Sequence, residues 1–198
     1  MIDLAMTKLK YLVVACLLVG FFGCKQETYQ VGQIITDKGE ILFWLYDETP
    51  LHKASFIDLA SSGYWDSLHF NRVIDNFVVQ GGCPDTPAGF SDSPYLISPE
   101  FNDSIKHTYG AVGAGRDENP DKISAGCQLY IVDAEEGLPR LDGEYMIFGQ
   151  MFKGFDVLEN ISKVATDKSN TPLDKITIDV NVVDLTENEL IDLGYNFN

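Results

Sequence analysis

Residues Phe70–Gly82 read FNRVIDNFVVQGG, and this stretch decides the fold. Aromatic and β-branched residues, which favour strands, dominate Phe70–Ile74 and Phe77–Gln80. Asp75-Asn76 separates the two runs, and both residue types are common in tight turns. The pattern therefore predicts two strands joined by a short turn.

Short strands of the same kind continue on both sides of this stretch. Gly39 supplies the positive φ that a hairpin turn between the first two of them needs. The other predicted strands are Val31–Thr36, Ile41–Tyr46, Gly110–Gly115, Gln128–Val132, Tyr145–Gln150 and Ile176–Val182. Helices are predicted from Pro50 to Gly63 and from Gly154 to Val164 by the spacing of their apolar residues. About eight strands and two helices predict a mainly β fold, a closed eight-stranded antiparallel barrel capped by two α-helices.

Length and charge limit the classes of function. The chain has 198 residues, which is enough for one domain with a substantial core. Its formal net charge of −16 repels phosphate backbones, so nucleic acid is excluded as a partner. The same charge argues against binding to an anionic lipid surface by electrostatics alone.

The first residues have the pattern of an export signal. Lys8 and Lys10 precede an apolar run, Tyr11–Phe22, that is too short to span a bilayer comfortably. The run ends at Gly23-Cys24, which resembles the lipobox of bacterial lipoproteins. We expect residues 1–23 to be a signal peptide and Cys24 to carry a lipid. The alternative is an ordinary signal peptide or anchor with an incidental cysteine.

These features divide the chain into four parts. The signal peptide 1–23 is followed by a polar tether, 24–30, and by the barrel domain, 31–185. An acidic tail, 186–198, is expected either to form a short helix or to stay loose. We expect a monomer in the cell envelope, attached to the membrane only through the lipid, facing the periplasm or on the outer membrane.

The stretch 70–82 resembles the signature of the cyclophilin-type peptidyl-prolyl cis-trans isomerases, Phe-His-Arg-Val-Ile-x-x-Phe-x-x-Gln-Gly-Gly, with Asn71 in place of the histidine. Three further blocks, at 126–131, 141–149 and 154–158, resemble motifs of the same family in the same order. The resemblance implies isomerisation of X-Pro bonds in exported proteins. It implies proline-containing polypeptides as partners, and no cofactor or metal.

The resemblance also implies which residues act. Rotation about an X-Pro bond has a barrier of about 18–20 kcal/mol and needs no nucleophile or metal, only a proline pocket and well-placed donors. Arg72, Gln80 and Tyr145 lie at the family's catalytic positions. Without the resemblance, the residues favour a strand arginine on a solvated face over a functional one for Arg72. The implied substrate-binding residues are Asn71, Phe77, Val78, Gly115, Arg116, Gln128, Tyr130 and Leu141.

Two departures from the family keep a second function open. Asn71 replaces the signature histidine, and Gly115 stands where alanine is usual. Both leave room for a catalytically weak chaperone or scaffold that only binds proline segments. Arg140 stands where many members have tryptophan. A lectin-like adhesion barrel is a third reading, but it leaves Arg72 and the two glutamines unexplained.

Cys83 and Cys127 are an even pair in a compartment that permits disulfides. If Gln80 and Gln128 line one groove, as the resemblance implies, their strands are neighbours and the two cysteines come close together. We therefore hypothesise a Cys83–Cys127 disulfide. The alternative is two buried free thiols.

Overall fold

The computed structural model describes residues 26–83 and 96–197. The predicted signal peptide 1–23 and the lipidation site Cys24 lie outside these ranges. Within the described ranges, no helix is long and apolar enough to cross a membrane.

Eight strands close into an antiparallel barrel in the order β1-β10-β3-β4-β8-β6-β9-β2. Their bounds are β1 Thr28–Thr36, β2 Gly39–Leu45, β3 Leu68–Ile74, β4 Val78–Gly82, β6 Ala111–Ala114, β8 Gln128–Val132, β9 Met146–Lys153 and β10 Ile176–Thr186. Two short strands, β5 (Leu96–Ile97) and β7 (Ser124–Ala125), pair with each other outside the barrel. The predicted closed eight-stranded barrel is confirmed.

The first hairpin shows how local chemistry sets the register. Gly39 has a φ of 137°, a region that side chains of L-residues avoid. The Thr36 hydroxyl accepts hydrogen bonds from the backbone N–H groups of Lys38 and Gly39. This turn pairs Ile34 with Ile41, both fully buried, so the apolar residues of β1 and β2 face the same interior.

Two helices add apolar side chains to the interior of the barrel. Helix α1 (Pro50–Ser61) buries Phe56 and Leu59, and helix α2 (Phe155–Ser162) buries Leu158 and Ile161. Both sets belong to the same cluster of buried residues as the inward-facing side chains of β10. Both predicted helices are therefore present, and they close the core that the strands surround.

The tail contains a third helix, α3 (Glu187–Asp192), among the described residues. It begins with a capping box: the Glu189 carboxylate accepts from the Thr186 N–H, and the Thr186 hydroxyl accepts from the Glu189 N–H. Beyond it, the Tyr195 ring stacks on Trp44 at a centroid distance of 4.6 Å. Of the two alternatives expected for 186–198, a short helix or a loose tail, the structure contains the short helix.

Strand β1 also begins earlier than expected. It starts at Thr28, inside the predicted tether 24–30, and Thr28 pairs with Thr186 at the far end of β10. The polar composition of this segment concealed the strand, because Thr28 and Gln30 are exposed and burial begins only at Val31.

Cys83 and Cys127 form a disulfide with their Cα atoms 5.3 Å apart. Cys83 directly follows β4 and Cys127 directly precedes β8, and these two strands are paired with Gly82 opposite Gln128. The Cys83 N–H also donates to the Cys127 carbonyl at 3.0 Å. The bridge therefore lies at the end of the β4–β8 ladder, next to Gln128.

Candidate functional site

A cavity of about 240 Å³ opens on the wall of the barrel formed by β3, β4 and β8. Every predicted catalytic or binding residue except Asn71 lines it, and Arg140 joins them. The lining residues are Arg72, Phe77, Val78, Gln80, Gly115, Arg116, Gln128, Tyr130, Arg140, Leu141 and Tyr145. Residues that are up to 73 positions apart in the sequence thus meet at one place, because the closed sheet brings their strands and loops together.

A β-bulge at Asn71 aims Arg72 at this cavity. Phe70 and Val73 both lie in the core, a spacing of three that strict strand alternation does not allow. The pairing of β3 with β4 shifts between Phe70 and Arg72, so Asn71 is the extra residue. The bulge turns Arg72 outward while Phe70 and Val73 both point into the core.

Asn71 itself is not among the residues that line the cavity, and its role in substrate binding stays a prediction. Its Oδ1 atom is buried and has no hydrogen-bond partner among the described residues. The extra residue of a bulge leaves the regular alternation of the strand, and for this reason the position cannot be assigned to a face from the sequence pattern.

Arg72 is held in place by its cross-strand partner. Its Nη1 donates to Oε1 of Gln80 at 2.9 Å, and the two residues are directly paired between β3 and β4. The guanidinium carbon also lies 5.6 Å from the centre of the Phe77 ring. A guanidinium has five N–H donors, so most of them are available for a ligand in the cavity.

Gln128 supplies a second donor. Its Nε2 atom is buried and has no hydrogen-bond partner in the part of the chain that the structure describes. Gly115 makes this placement possible, because a Cβ atom there would overlap the Gln128 side chain. A buried amide without a partner is costly, so this donor in a residue of the cavity lining is a candidate for binding a ligand's carbonyl once the side chain adjusts.

The floor of the cavity is apolar. Val78 and Tyr130 are almost fully buried, and Phe77, Leu141 and Tyr145 pack against the same cluster. A compact apolar floor with donors at its rim fits a small ring next to a peptide carbonyl.

Comparison with known proteins identifies this arrangement. A family model described as cyclophilin type peptidyl-prolyl cis-trans isomerase/CLD matches residues 31–182. The chain belongs to the cyclophilin-type peptidyl-prolyl cis-trans isomerase family. The predicted peptidyl-prolyl cis-trans isomerase activity and enzyme class are thereby confirmed.

Relatives and solved structures agree with this assignment. The peptidyl-prolyl cis-trans isomerase CYP18-1 of Arabidopsis thaliana is 33% identical over 146 residues, which cover 72% of this chain and 89% of that relative. The isomerase ppi1 of Schizosaccharomyces pombe is 32% identical over 149 residues, covering 74% and 94%. A crystal structure of a cyclophilin-type isomerase from Cryptosporidium parvum, obtained in the presence of the dipeptide Ala-Pro, is 30% identical with a TM-score of 0.69. It covers 79% of this chain and 99% of that chain.

In this cyclophilin, a buried network of hydrogen bonds lies beneath the floor of the cavity, and the sequence motifs did not predict it. Nε2 of His107 lies 2.8 Å from the Tyr130 hydroxyl, and its Nδ1 lies 2.9 Å from Oδ1 of Asp142. Burial lowers the pKa of His107, and the Asp142 carboxylate offsets this only in part. The neutral imidazole therefore donates from Nδ1 to Asp142 and accepts from the Tyr130 hydroxyl. The three residues are too far apart in the sequence for any local spacing to predict these hydrogen bonds.

The hydrogen bonds between Tyr130, His107 and Asp142 should contribute measurably to the stability of the fold. Tyr130→Phe removes the hydroxyl that donates to His107 and leaves a buried ring nitrogen unpaired. We expect the free energy of unfolding at pH 7 to fall by about 1–3 kcal/mol, measured by urea denaturation. Tyr109→Phe is the matched control, since the Tyr109 hydroxyl has no hydrogen bond among the described residues. Equal losses in the two variants would show that these hydrogen bonds do not stabilise the fold.

Proposed function

We propose that this cyclophilin isomerises X-Pro bonds in polypeptides exported to a bacterial cell envelope, where a lipid on Cys24 holds it at the membrane. The observation that carries the catalytic part is the Arg72–Gln80 pair beside the apolar floor of the cavity. The location is supported by the sequence pattern of two lysines, Lys8 and Lys10, before an apolar run that ends at Gly23-Cys24.

In the proposed mechanism the proline ring enters the apolar floor formed by Phe77, Val78 and Leu141. As the amide twists, its nitrogen loses conjugation with the carbonyl and regains a lone pair. A guanidinium N–H of Arg72 donates to that nitrogen, a bond that planar substrate does not offer. Because this interaction is stronger in the twisted state than in either planar state, it lowers the barrier.

Other residues hold the substrate in position. The unpaired Nε2 of Gln128 donates to a backbone carbonyl of the peptide, and Gln80 fixes the orientation of Arg72. The hydroxyl of Tyr145 donates to the carbonyl before the proline. The Ala-Pro dipeptide in the Cryptosporidium parvum crystals supports proline-containing polypeptides as the ligand class.

The alternative of a weak proline-binding scaffold loses part of its basis. It drew on Asn71 and Gly115 as departures from the family pattern. Asn71 does not line the cavity, so replacement of the signature histidine leaves the lining unchanged. Gly115 gives space to the Gln128 side chain, which points to a site built for a ligand and not to a degraded one.

The lipid anchor can be tested with a matched pair of variants. Cys16 and Cys24 both lie in the first 25 residues, but only Cys24 follows the lipobox-like stretch. In cells fed a labelled fatty acid, we expect the wild-type chain and Cys16→Ala to incorporate label and to partition with membranes. Cys24→Ala should do neither.

Label on Cys24→Ala, or none on the wild-type chain, would overturn the lipid proposal. Isomerase activity of the purified proteins, measured in parallel, should be the same in Cys16→Ala, Cys24→Ala and wild type. The location and the catalytic function are thus tested separately.

A further inference from the structure

All three arginines of the chain line the same cavity. Arg72, Arg116 and Arg140 are the only arginines among 198 residues, in a protein whose formal net charge is −16. No aspartate or glutamate is among the described residues that line this cavity. Guanidinium groups recognise carboxylates with two parallel hydrogen bonds, so this concentration of arginine points to an anionic group on the ligand.

The three guanidinium groups differ in how far they are already engaged. Arg72 donates to Gln80. Arg116 donates to the backbone carbonyls of Glu144 and Asp117, and its Nη2 lies 3.5 Å from the Glu144 carboxylate. Arg140 is the least engaged of them.

Arg140 is exposed at the cavity rim, and its guanidinium carbon lies 4.9 Å from the centre of the Phe77 ring. Within the described residues, it makes no hydrogen bond or ion pair. Its guanidinium therefore rests against the aromatic ring while all five of its N–H donors are left for a ligand.

A second cavity, of about 480 Å³, adjoins the proline cavity at this point. The two share Arg116, Arg140, Leu141 and Tyr145 as a common wall. Consecutive Cα atoms of a peptide are about 3.8 Å apart, so a proline in the first cavity places the side chain of an adjoining residue at this wall.

The charges around the second cavity leave Arg140 available. Glu144 already pairs with Lys122 at 2.9 Å and with Arg116. Glu118 is the other carboxylate of the lining among the described residues, and it has no ion pair there. As a negative charge in the same lining, Glu118 is expected to reduce the preference for a substrate carboxylate but not to reverse it.

We propose that Arg140 makes this isomerase select X-Pro segments in which an aspartate or glutamate adjoins the proline. The proposal rests on the proposed function, because the proline must occupy the cavity beside Arg72. A carboxylate next to the proline pairs with the Arg140 guanidinium at the shared wall. Arg140 thus acts as a specificity-determining residue for acidic polypeptide substrates.

The test uses the full-length purified protein and tetrapeptides that differ at one residue beside the proline, on either side. Glu is compared with Gln, which has the same shape without charge. We expect kcat/KM for the better-placed Glu peptide to exceed that for its Gln counterpart about 5-fold, as one partly exposed, charge-assisted contact allows. In Arg140→Gln the ratio should fall to about 1, and in Arg140→Glu it should invert.

Lys168→Gln is the control, since it removes the same charge at an exposed position outside both cavities. It should keep the 5-fold ratio. A ratio near 1 in the wild-type protein, or an unchanged ratio in Arg140→Gln, overturns the specificity proposal. Failure to accelerate any peptide, Gln peptides included, overturns the isomerase function on which it rests.

Discussion

Arg72→Ala should lower kcat/KM for a proline-containing tetrapeptide by about 10- to 100-fold. A hydrogen bond from a charged donor contributes about 1.5–3 kcal/mol, and a contribution made only in the twisted state appears in the rate. The measurement is a protease-coupled or NMR exchange assay on one peptide. The structure places no other guanidinium in a cross-strand pair with Gln80, so Arg116 and Arg140 do not replace it.

Arg72→Lys separates charge from geometry. A lysine retains the charge but has a compact ammonium group that does not reproduce the planar fork, so we expect an intermediate rate. Lys168 is not among the described residues that line the cavity, so Lys168→Ala should leave the rate unchanged. Arg72→Ala within twofold of wild type, in protein whose thermal unfolding is unaltered, would refute the catalytic role.

Loss of the Cys83–Cys127 disulfide should cause the largest change in stability. The bridge joins residues separated by 44 positions. In the chain-entropy model, a closed loop of this length stabilises the fold by about 4 kcal/mol, because the crosslink restricts the unfolded chain. Reduction, or Cys83→Ala combined with Cys127→Ala, should lower the free energy of unfolding by about 3–4 kcal/mol. The melting temperature should fall by about 10 °C.

The matched control is Cys24→Ala, which removes a cysteine outside the bridge and should retain the full response to reductant. Mass spectrometry of the oxidised and reduced proteins should show the gain of two hydrogen atoms. If reduction is complete by mass and the unfolding midpoint does not move, the bridge does not stabilise the barrel. If the oxidised protein gains no hydrogen, the two thiols are not bonded.

The disulfide also bears on the proposed location. A bridge at the end of the β4–β8 ladder persists only where thiols are not kept reduced. The periplasm and the outer face of a bacterial envelope meet this condition. The predicted export signal and the cysteine pair are separate features of the chain, and both support the same proposed compartment.

Local patterns were sufficient for much of the barrel. The alternation along Ile176–Val182, with Ile176, Ile178 and Val180 buried, is a property of neighbouring residues, so it can be read without a structure. The Gly39 turn is equally local. The motif around Arg72, together with the three later blocks in the same order, was sufficient to name the family, because the order and identity of these residues are specific.

Features that depend on distant partners could not be predicted in this way. The bulge at Asn71 appears only when β3 is paired with β4, since it is a mismatch between two strands. The pattern of 186–198 left open whether the tail packs on the barrel, because its packing depends on the distant Trp44 of β2, on which Tyr195 stacks. The His107–Tyr130 hydrogen bond joins residues 23 positions apart.

The sequence alone determined the family, the strands and the residues that could perform the reaction, because these depend on residue identity and short-range periodicity. Only the tertiary structure decided which of those residues meet. It excluded Asn71 from the cavity, paired Arg72 with Gln80 and brought Arg140 to the rim. The physical reason is that closure of the barrel sets distances between strands that no local pattern encodes.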